Sequence, residues 1–295
     1  HPICVGGSVM IKTATGERAV KLNRIHLEED AGKSIHDLDP NNTCIDLNRA
    51  GTPLIEIVTE PDLFSADEAW QYVTEIRKLV RWIGICDGNM EEGSLRCDAN
   101  ISVKLRGAEQ LGTKVEVKNL NSIRNVKKAI EFEISRIIEE LEKGNCIQQQ
   151  TRSFNADNDT TFAIRDKEEA NDYRYFPDPD LPAIHLTKAY IQSVNDLLPT
   201  LPHQLIQHYQ AVYQLSAYDA SQLCEEKSIA AFFEQAVLLT THYKMVANWI
   251  LGPIKQLMNE SQKSIQELGL TANGLVQIIE LIEIGKINFS MSASK

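Results

Sequence analysis

The sequence predicts an α+β protein: an antiparallel sheet flanked by helices over residues 1–185, followed by a small all-α helical domain over 186–295. Three observations carry that prediction. Several segments of the first part alternate apolar and polar residues with the two-residue period of a half-buried strand. Two longer segments there repeat apolar residues at the 3.6-residue period of a helix. After the Pro-marked stretch YFPDPDLP (175–182), strand signals fade and short amphipathic helices separated by Pro and Gly take over. Charge changes with structure: all twelve arginines lie at or before Arg174, so polar recognition is expected in the first part.

Taken in order, residues 1–62 read as strands joined by Gly and Asx turns. As a strand, Ala19–Glu29 places Val20, Leu22, Arg24, His26 and Glu28 on one face. PLIEIVTEPD (53–62) is a second strand, with Leu54, Glu56 and Val58 on one face. Ser65 then reads as a helix N-cap, with Glu68 closing a capping box. Ala69, Tyr72, Val73, Ile76, Leu79, Val80 and Ile83 form its apolar stripe, and Gly84 ends it. LRCDANISVKL (95–105) and TKVEVKN (113–119) alternate cleanly and form an antiparallel hairpin through GAEQLG. A long helix over Ser122–Lys143 turns Ile123, Val126, Ile130, Ile134, Ile137 and Leu141 inward, and Gly144 stops it. Gln148–Phe154 and Thr160–Arg165 make a hairpin around NADND. The second part reads as helices at Pro202–Gln214, Ala217–Lys227, Ile229–Leu239, Lys244–Asn259 and Ala272–Glu283.

Composition narrows the class. With 295 residues, 43% hydrophobic and 24% charged, the chain has enough apolar material to offset chain entropy. No stretch reaches the roughly 18 uninterrupted apolar residues of a membrane span, and the start, HPICVGGSVM, lacks the basic-then-apolar pattern of a signal peptide. A net charge of −11 argues against a protein that coats nucleic acid without specificity. Cys4, Cys44, Cys86, Cys97, Cys146 and Cys224 are scattered with no C-x-x-C pair, which fits reduced thiols in a cytosol.

Candidate chemistry is confined to a few places. AGKS (31–34) imitates the end of a phosphate-binding loop, but Leu27 stands where that motif needs Gly, and acidic residues precede it. There is no G-x-G-x-x-G. Glu28, Glu29 and Asp30 form an acidic run, which is ordinarily a solvated strand end. Glu56 interrupts an apolar strand and must find a cation, a donor or a metal, because burying it unpaired costs several kcal/mol. A structural pair with Arg24 or Arg49 and a functional carboxylate are both open. Two carboxylates on neighbouring strands suit Mg²⁺. In MEEGSLRCDANIS (90–102), Arg96, Asp98 and Asn100 share a polar face beside Lys114, Glu116 and Lys118. That face is either solvated or the floor of an anionic-substrate site. DYRYFPDPD (172–180) offers rings that stack on bases or plug a domain junction. No Ser–His–Asp or Cys–His arrangement is arguable; His26 and His36 alone lie near the acidic strands, and a lone strand histidine is more often structural than catalytic.

Together, HLEEDAGKS, NRAGTPLIEIVTEPD, MEEGSLRCDANISV, VKNLNSIRNV and DYRYFPDPD closely resemble the GatB family, the B subunits of tRNA-dependent amidotransferases. The resemblance runs through the whole chain in order, less sharply after about Leu197. It implies a cradle-shaped catalytic domain followed by a helical domain and a tail. It also implies a bacterial cytoplasmic heterotrimer with two partner subunits, an amidase and a small third chain. Such enzymes use ATP and Mg²⁺ to activate the side-chain carboxylate of Glu-tRNA(Gln) or Asp-tRNA(Asn) as an acyl phosphate, which ammonia then displaces. By the resemblance, Glu28 and Glu56 are the catalytic metal ligands, and Glu91, Glu92, Arg96, Asp98, Lys118 and Asn119 belong to the substrate and ATP pocket. The family's upstream G-L-E-V-H motif, and the zinc-binding cysteines some members carry beside it, do not occur here. The expectation is an interior piece with an incomplete metal site, inactive alone. The competing expectation is a non-catalytic module that docks tRNA or a partner subunit.

Overall fold

The computed structural model describes residues 2–39, 41–166, 180, 182 and 184–288. It forms two compact units, one of residues 1–77 and 89–175, the other of residues 78–88 and 176–295.

The first unit begins with strands β1 (Cys4–Val5), β2 (Ser8–Thr13), β3 (Gly16–Glu29), β4 (Lys33–Ile35), β5 (Cys44–Asp46) and β6 (Pro53–Thr59). The long β3 organises β1, β2 and β6, while β4 and β5 pair with each other. β3 pairs antiparallel with β2 along its first half and with β1 and β6 along its second. Ile11 and Val20 are fully buried on the β2–β3 ribbon. The expected common face from Val20 to Glu28 does not form. Leu22 pairs with Thr59 and Arg24 with Val58, so Asn23 is an extra, bulged residue. Thr59 and Val58 are adjacent on β6 and point to opposite faces. Arg24, His26 and Glu28 therefore lie on the face opposite to Leu22. AGKS is no phosphate loop: Lys33–Ile35 pair with β5. A Cβ on Gly32 would come within 2.8 Å of the Leu47 side chain, so this glycine serves a close strand approach.

Helix α1 (Ala66–Trp82) follows the cap predicted for it. Ser65 Oγ accepts the Glu68 N–H at 3.1 Å. The Glu68 carboxylate reaches one residue further back than a capping box requires, accepting the Phe64 N–H at 2.8 Å and Arg18 Nη2 at 2.7 Å. At the other end Gly84 takes φ 76°, and the Ile85 N–H reaches back to the Val80 carbonyl at 3.1 Å.

The second sheet has the order β10–β9–β8–β7, built from β7 (Ala99–Ile101), β8 (Val115–Lys118), β9 (Gln150–Asn155) and β10 (Thr160–Asp166). β7–β8 and β9–β10 are antiparallel hairpins. β8 and β9 are parallel, joined by helix α2 (Ile123–Glu142), so one crossover interrupts the expected antiparallel order. The strand predicted over 95–105 shrinks to three residues because residues 89–95 close into a turn on Asn89, whose side chain accepts the Glu91 N–H at 3.0 Å. In the hairpin link, a Cβ on Gly112 would fall 2.1 Å from the Val103 carbonyl oxygen, so only glycine fits there.

Ser122 caps α2, accepting the Asn125 N–H at 3.1 Å. Val126, Ile130 and Ile137 are buried as the stripe predicts, Ala129 is buried beside them, and Leu141 is exposed. Glu133, which the stripe leaves unremarked, is completely buried. Arg136 Nη2 lies 2.7 Å and Arg152 Nε 3.0 Å from its carboxylate, and the Thr161 hydroxyl donates to it.

The second unit comprises α3 (Lys188–Asp196), α4 (Pro202–Tyr213), α5 (Ala217–Leu223), α6 (Lys227–Val237), α7 (Tyr243–Trp249), α8 (Lys255–Ser261) and α9 (Ala272–Glu283). Its core centres on Tyr209, Leu223, Phe233, Val246, Leu275 and Ile279. The single helix expected over Lys244–Asn259 is divided by a π-helical turn at Ile250–Ile254 that contains Pro253. Proline lacks an N–H and clashes with the preceding turn, and the wider π turn accommodates it. The additional helix α3, absent from the sequence expectation, buries none of its residues. No helix among the described residues is long and apolar enough to cross a membrane.

Removing the charge of Glu133 leaves two guanidinium groups around a neutral amide. Glu133→Gln is expected to cost about 3 kcal/mol, and Ser122→Ala about 1 kcal/mol, in urea unfolding of the chain. A Glu133→Gln loss no larger than that of Ser122→Ala would show that the buried carboxylate is dispensable.

Candidate functional site

Strand register assembles the first cluster. His26 and Glu56 are direct partners across β3 and β6, and Glu28 sits opposite Leu54, two residues further along the same face. His26 Nδ1 lies 3.2 Å from Glu56 Oε2. One ligand atom from each of His26, Glu28 and Glu56 can be chosen so that all three lie within 4.8 Å of one another. Among the described residues this is the one group of three such side chains so arranged. Glu28 and Glu56 are exposed, which corrects the expectation of a buried Glu56. Its partner is His26, not Arg24 or Arg49: Arg24 donates to Asn23 Oδ1, and Arg49 turns to Asp30. The sequence reading treats His26 as a lone strand histidine and misses it. The signal for it is the H-x-E spacing with Glu28, which puts both on one strand face.

A second cluster forms where β3 ends. The Asp30 carboxylate accepts Arg49 Nε at 2.8 Å and Arg96 Nη2. Burial works against the charge of Asp30, but hydrogen bonds and charge from Arg96, and then from Arg49, outweigh it and hold the carboxyl below its ordinary range. Both arginines also reach the turn that follows Asn89. Arg49 Nη1 donates to the Glu92 carbonyl and Arg96 Nε to the Gly93 carbonyl, each at 3.3 Å. Glu91 and Glu92 are exposed on that turn.

The third cluster lies on the second sheet. Lys118 donates to Asp98, lies 3.2 Å from Glu116 Oε1, and Thr151 Oγ1 donates to Glu116 Oε2 at 3.0 Å. Burial opposes the ammonium charge, but Asp98 and then Glu116 outweigh it and raise the Lys118 pKa above its usual range. Asn119 takes φ 64°, a left-handed conformation that asparagine tolerates better than most residues, and its side chain donates to the Phe154 carbonyl at 3.1 Å. Burial pushes the Cys97 thiol up to about 12, so it is no nucleophile at neutral pH. All six cysteines are free. Of DYRYFPDPD, residues 172–179 lie outside the described residues.

The sequence matches the GatB/GatE catalytic domain over residues 1–192 and the GatB domain over residues 231–293. The chain belongs to the GatB family. The B subunit of the aspartyl/glutamyl-tRNA(Asn/Gln) amidotransferase of Rickettsia bellii is 47% identical over 289 residues, covering 98% of this chain. That of Rickettsia felis is 48% identical over 284 residues, covering 96%. The chain spans 59% and 58%, respectively, of the length of these GatB relatives. All three clusters fall within the catalytic-domain match.

Because the Asp30 pKa is lowered on folding, its stabilisation is complete above the ordinary Asp value of about 4 and is lost as pH falls through the lower folded value. Asp30→Asn is therefore expected to be less stable than the parent at neutral pH, with a gap that narrows below about pH 4. Urea midpoints across that range check it; a gap independent of pH would exclude the carboxylate charge as its source.

Proposed function

We propose that the chain is the catalytic part, residues 1–185, and the following helical part of an amidotransferase B subunit. The complete enzyme would convert Glu-tRNA(Gln), and Asp-tRNA(Asn), to the amidated forms in the bacterial cytoplasm, together with its amidase subunit, which supplies ammonia, and a small third subunit. The observation that carries this reading is the convergence of His26, Glu28 and Glu56 on one sheet face, inside the segment that matches the catalytic domain.

The donor set fits a hard divalent cation. The two carboxylates suit Mg²⁺, which takes one or two carboxylates and leaves positions for water and substrate phosphates, with the His26 imidazole as a softer third donor beside them. His26, Glu28 and Glu56 would hold it, and when bound it would neutralise charge on the transferring phosphoryl group. In the proposed reaction a substrate carboxylate oxygen attacks the γ-phosphorus of ATP and ADP leaves. Ammonia then attacks the acyl-phosphate carbon and inorganic phosphate leaves. Neither step needs a protein nucleophile, in keeping with a protonated Cys97. Lys118 and Arg96 would supply fixed positive charge at the pocket wall, with Asp98, Asn119, Glu91 and Glu92 around them. Exposure of Glu28 and Glu56 favours a second reading, in which the piece docks tRNA or another subunit of the complex without doing chemistry itself.

The test uses the full-length protein in complex with its partners, ATP and Glu-tRNA(Gln). Glu56→Gln is expected to slow ADP formation by about two orders of magnitude, the several kcal/mol that metal neutralisation contributes, and to weaken Mn²⁺ binding measured on its own. Full activity of Glu56→Gln would overturn the ligand assignment. Absence of Mg²⁺-dependent ATP binding by this chain at millimolar nucleotide would favour docking.

A further inference from the structure

We infer that Asp30 is a positioning residue that presents Arg96 to an anionic group of the substrate; this rests on the function proposed above. Three segments converge on its carboxylate. The end of β3 supplies Asp30, whose N–H donates to the Thr52 carbonyl and whose carbonyl accepts the Gly51 N–H, both at 2.9 Å. The turn before β6 supplies Arg49, and the loop before β7 supplies Arg96. The Asp30 side chain is 13% exposed, while those of Arg49 and Arg96 are 42% and 52% exposed. The carboxylate is thus the inner, fixed member and the guanidinium groups are the outer ones. Arg49 also fills the space over Gly93, where an added Cβ would come 3.1 Å from its Nη1.

Arg96 spends Nη2 on Asp30 and Nε on the Gly93 carbonyl. A planar guanidinium bonded at two of its nitrogens cannot swing. Its remaining edge, at Nη1, is held in a set direction, the pre-organised fork that carboxylate and phosphate oxygens recognise. Asp30 is two residues beyond Glu28, so the same strand end that carries a candidate metal ligand also aims this cation. The ligand chemistry is an oxyanion, either the side-chain carboxylate of the misacylated residue or a nucleotide phosphate.

The test compares Asp30→Asn, Asp30→Glu, Arg96→Ala and the Asp30→Asn/Arg96→Ala double variant in the full-length protein within its complex, assayed well below the measured melting temperature of each. Asp30→Asn is expected to raise KM for one anionic substrate about tenfold, the effect of one lost charged hydrogen bond, with kcat changed less than threefold. A rise for aminoacyl-tRNA identifies the carboxylate, and a rise for ATP the phosphate. The double variant should be no worse than Arg96→Ala, and Asp30→Glu should recover most of the loss. Multiplying effects in the double variant, or a kcat loss with both KM values unchanged, would overturn the assignment. Independently of turnover, the Arg96 Nε–H should be protected from hydrogen exchange in this chain and lose protection in Asp30→Asn. Retained protection sinks the positioning role. A parent complex that forms no ADP from Glu-tRNA(Gln) and ATP sinks the proposed function instead.

Discussion

One inserted residue governs where the polar groups of the first unit point. Ahead of the bulge at Asn23, β3 buries Val20 against the ribbon with β2. Beyond it, the alternation is reset, and His26 and Glu28 project on the same side as Glu56. Were Asn23 an ordinary strand residue and the alternation unbroken, those side chains would follow Val20 onto the packed face, where an unpaired carboxylate costs several kcal/mol. The bulge lets a 14-residue strand serve a core with one half and a candidate site with the other. Its own polar side chain is satisfied: Asn23 Nδ2 donates to Glu60 at 2.6 Å, and its Oδ1 accepts Arg24 Nη1 at 2.8 Å.

The second sheet separates its faces by register alone. Ala99, Val117, Ile101 and Val115 pair across β7 and β8 and are buried. The alternate residues line up in rows on the other face: Asn100, Glu116 and Thr151 in one, Lys118 and Ser153 in the next. The parallel β8–β9 pairing brings Thr151 level with Glu116, and its hydroxyl takes one carboxylate oxygen while Lys118 takes the other. A charged wall built this way is neutralised from within, so it can be rigid without a ligand. Beneath the sheet, Glu133 does a similar job for α2, with its cations drawn from the helix itself and from β9.

How much of this could be read in the sequence follows from the range of each interaction. Helices α1 and α2 were legible because their caps, stripes and glycine stops are local: Ser65 and Gly84, Ser122 and Gly144. The NADND hairpin was legible for the same reason. The Asn23 bulge was not, since an extra residue is defined only against a partner strand. His26 gains its meaning from lying opposite Glu56, thirty residues away, and an isolated reading treats it as structural. Glu133 sits in register with an apolar stripe, and only Arg136 among its partners is near in sequence; Arg152 and Thr161 arrive from β9 and β10. The acidic run at residues 28–30 looked uniform, yet the fold sends Glu28 to the exposed triad and Asp30 to a pair of arginines.

The cations of the first unit also bear on what kind of substrate the face can hold. Arg18 is taken by Asp62 and Glu68, Arg49 and Arg96 by Asp30, Lys118 by Asp98 and Glu116, Lys127 by Asp67, and Lys128 by Asp159. Nucleic-acid binding through diffuse positive charge needs cations that can release counterions from phosphates, and these particular cations are paired with carboxylates, in a chain of net charge −11. A phosphate-bearing substrate of the proposed kind would find two directed contacts here: the outward edge of a clamped arginine, and a metal ion brought to His26, Glu28 and Glu56. Such contacts trade reach for geometry. That trade suits the proposed chemistry, the in-line transfer of one phosphoryl group, in which the position of the charge would count for more than its amount.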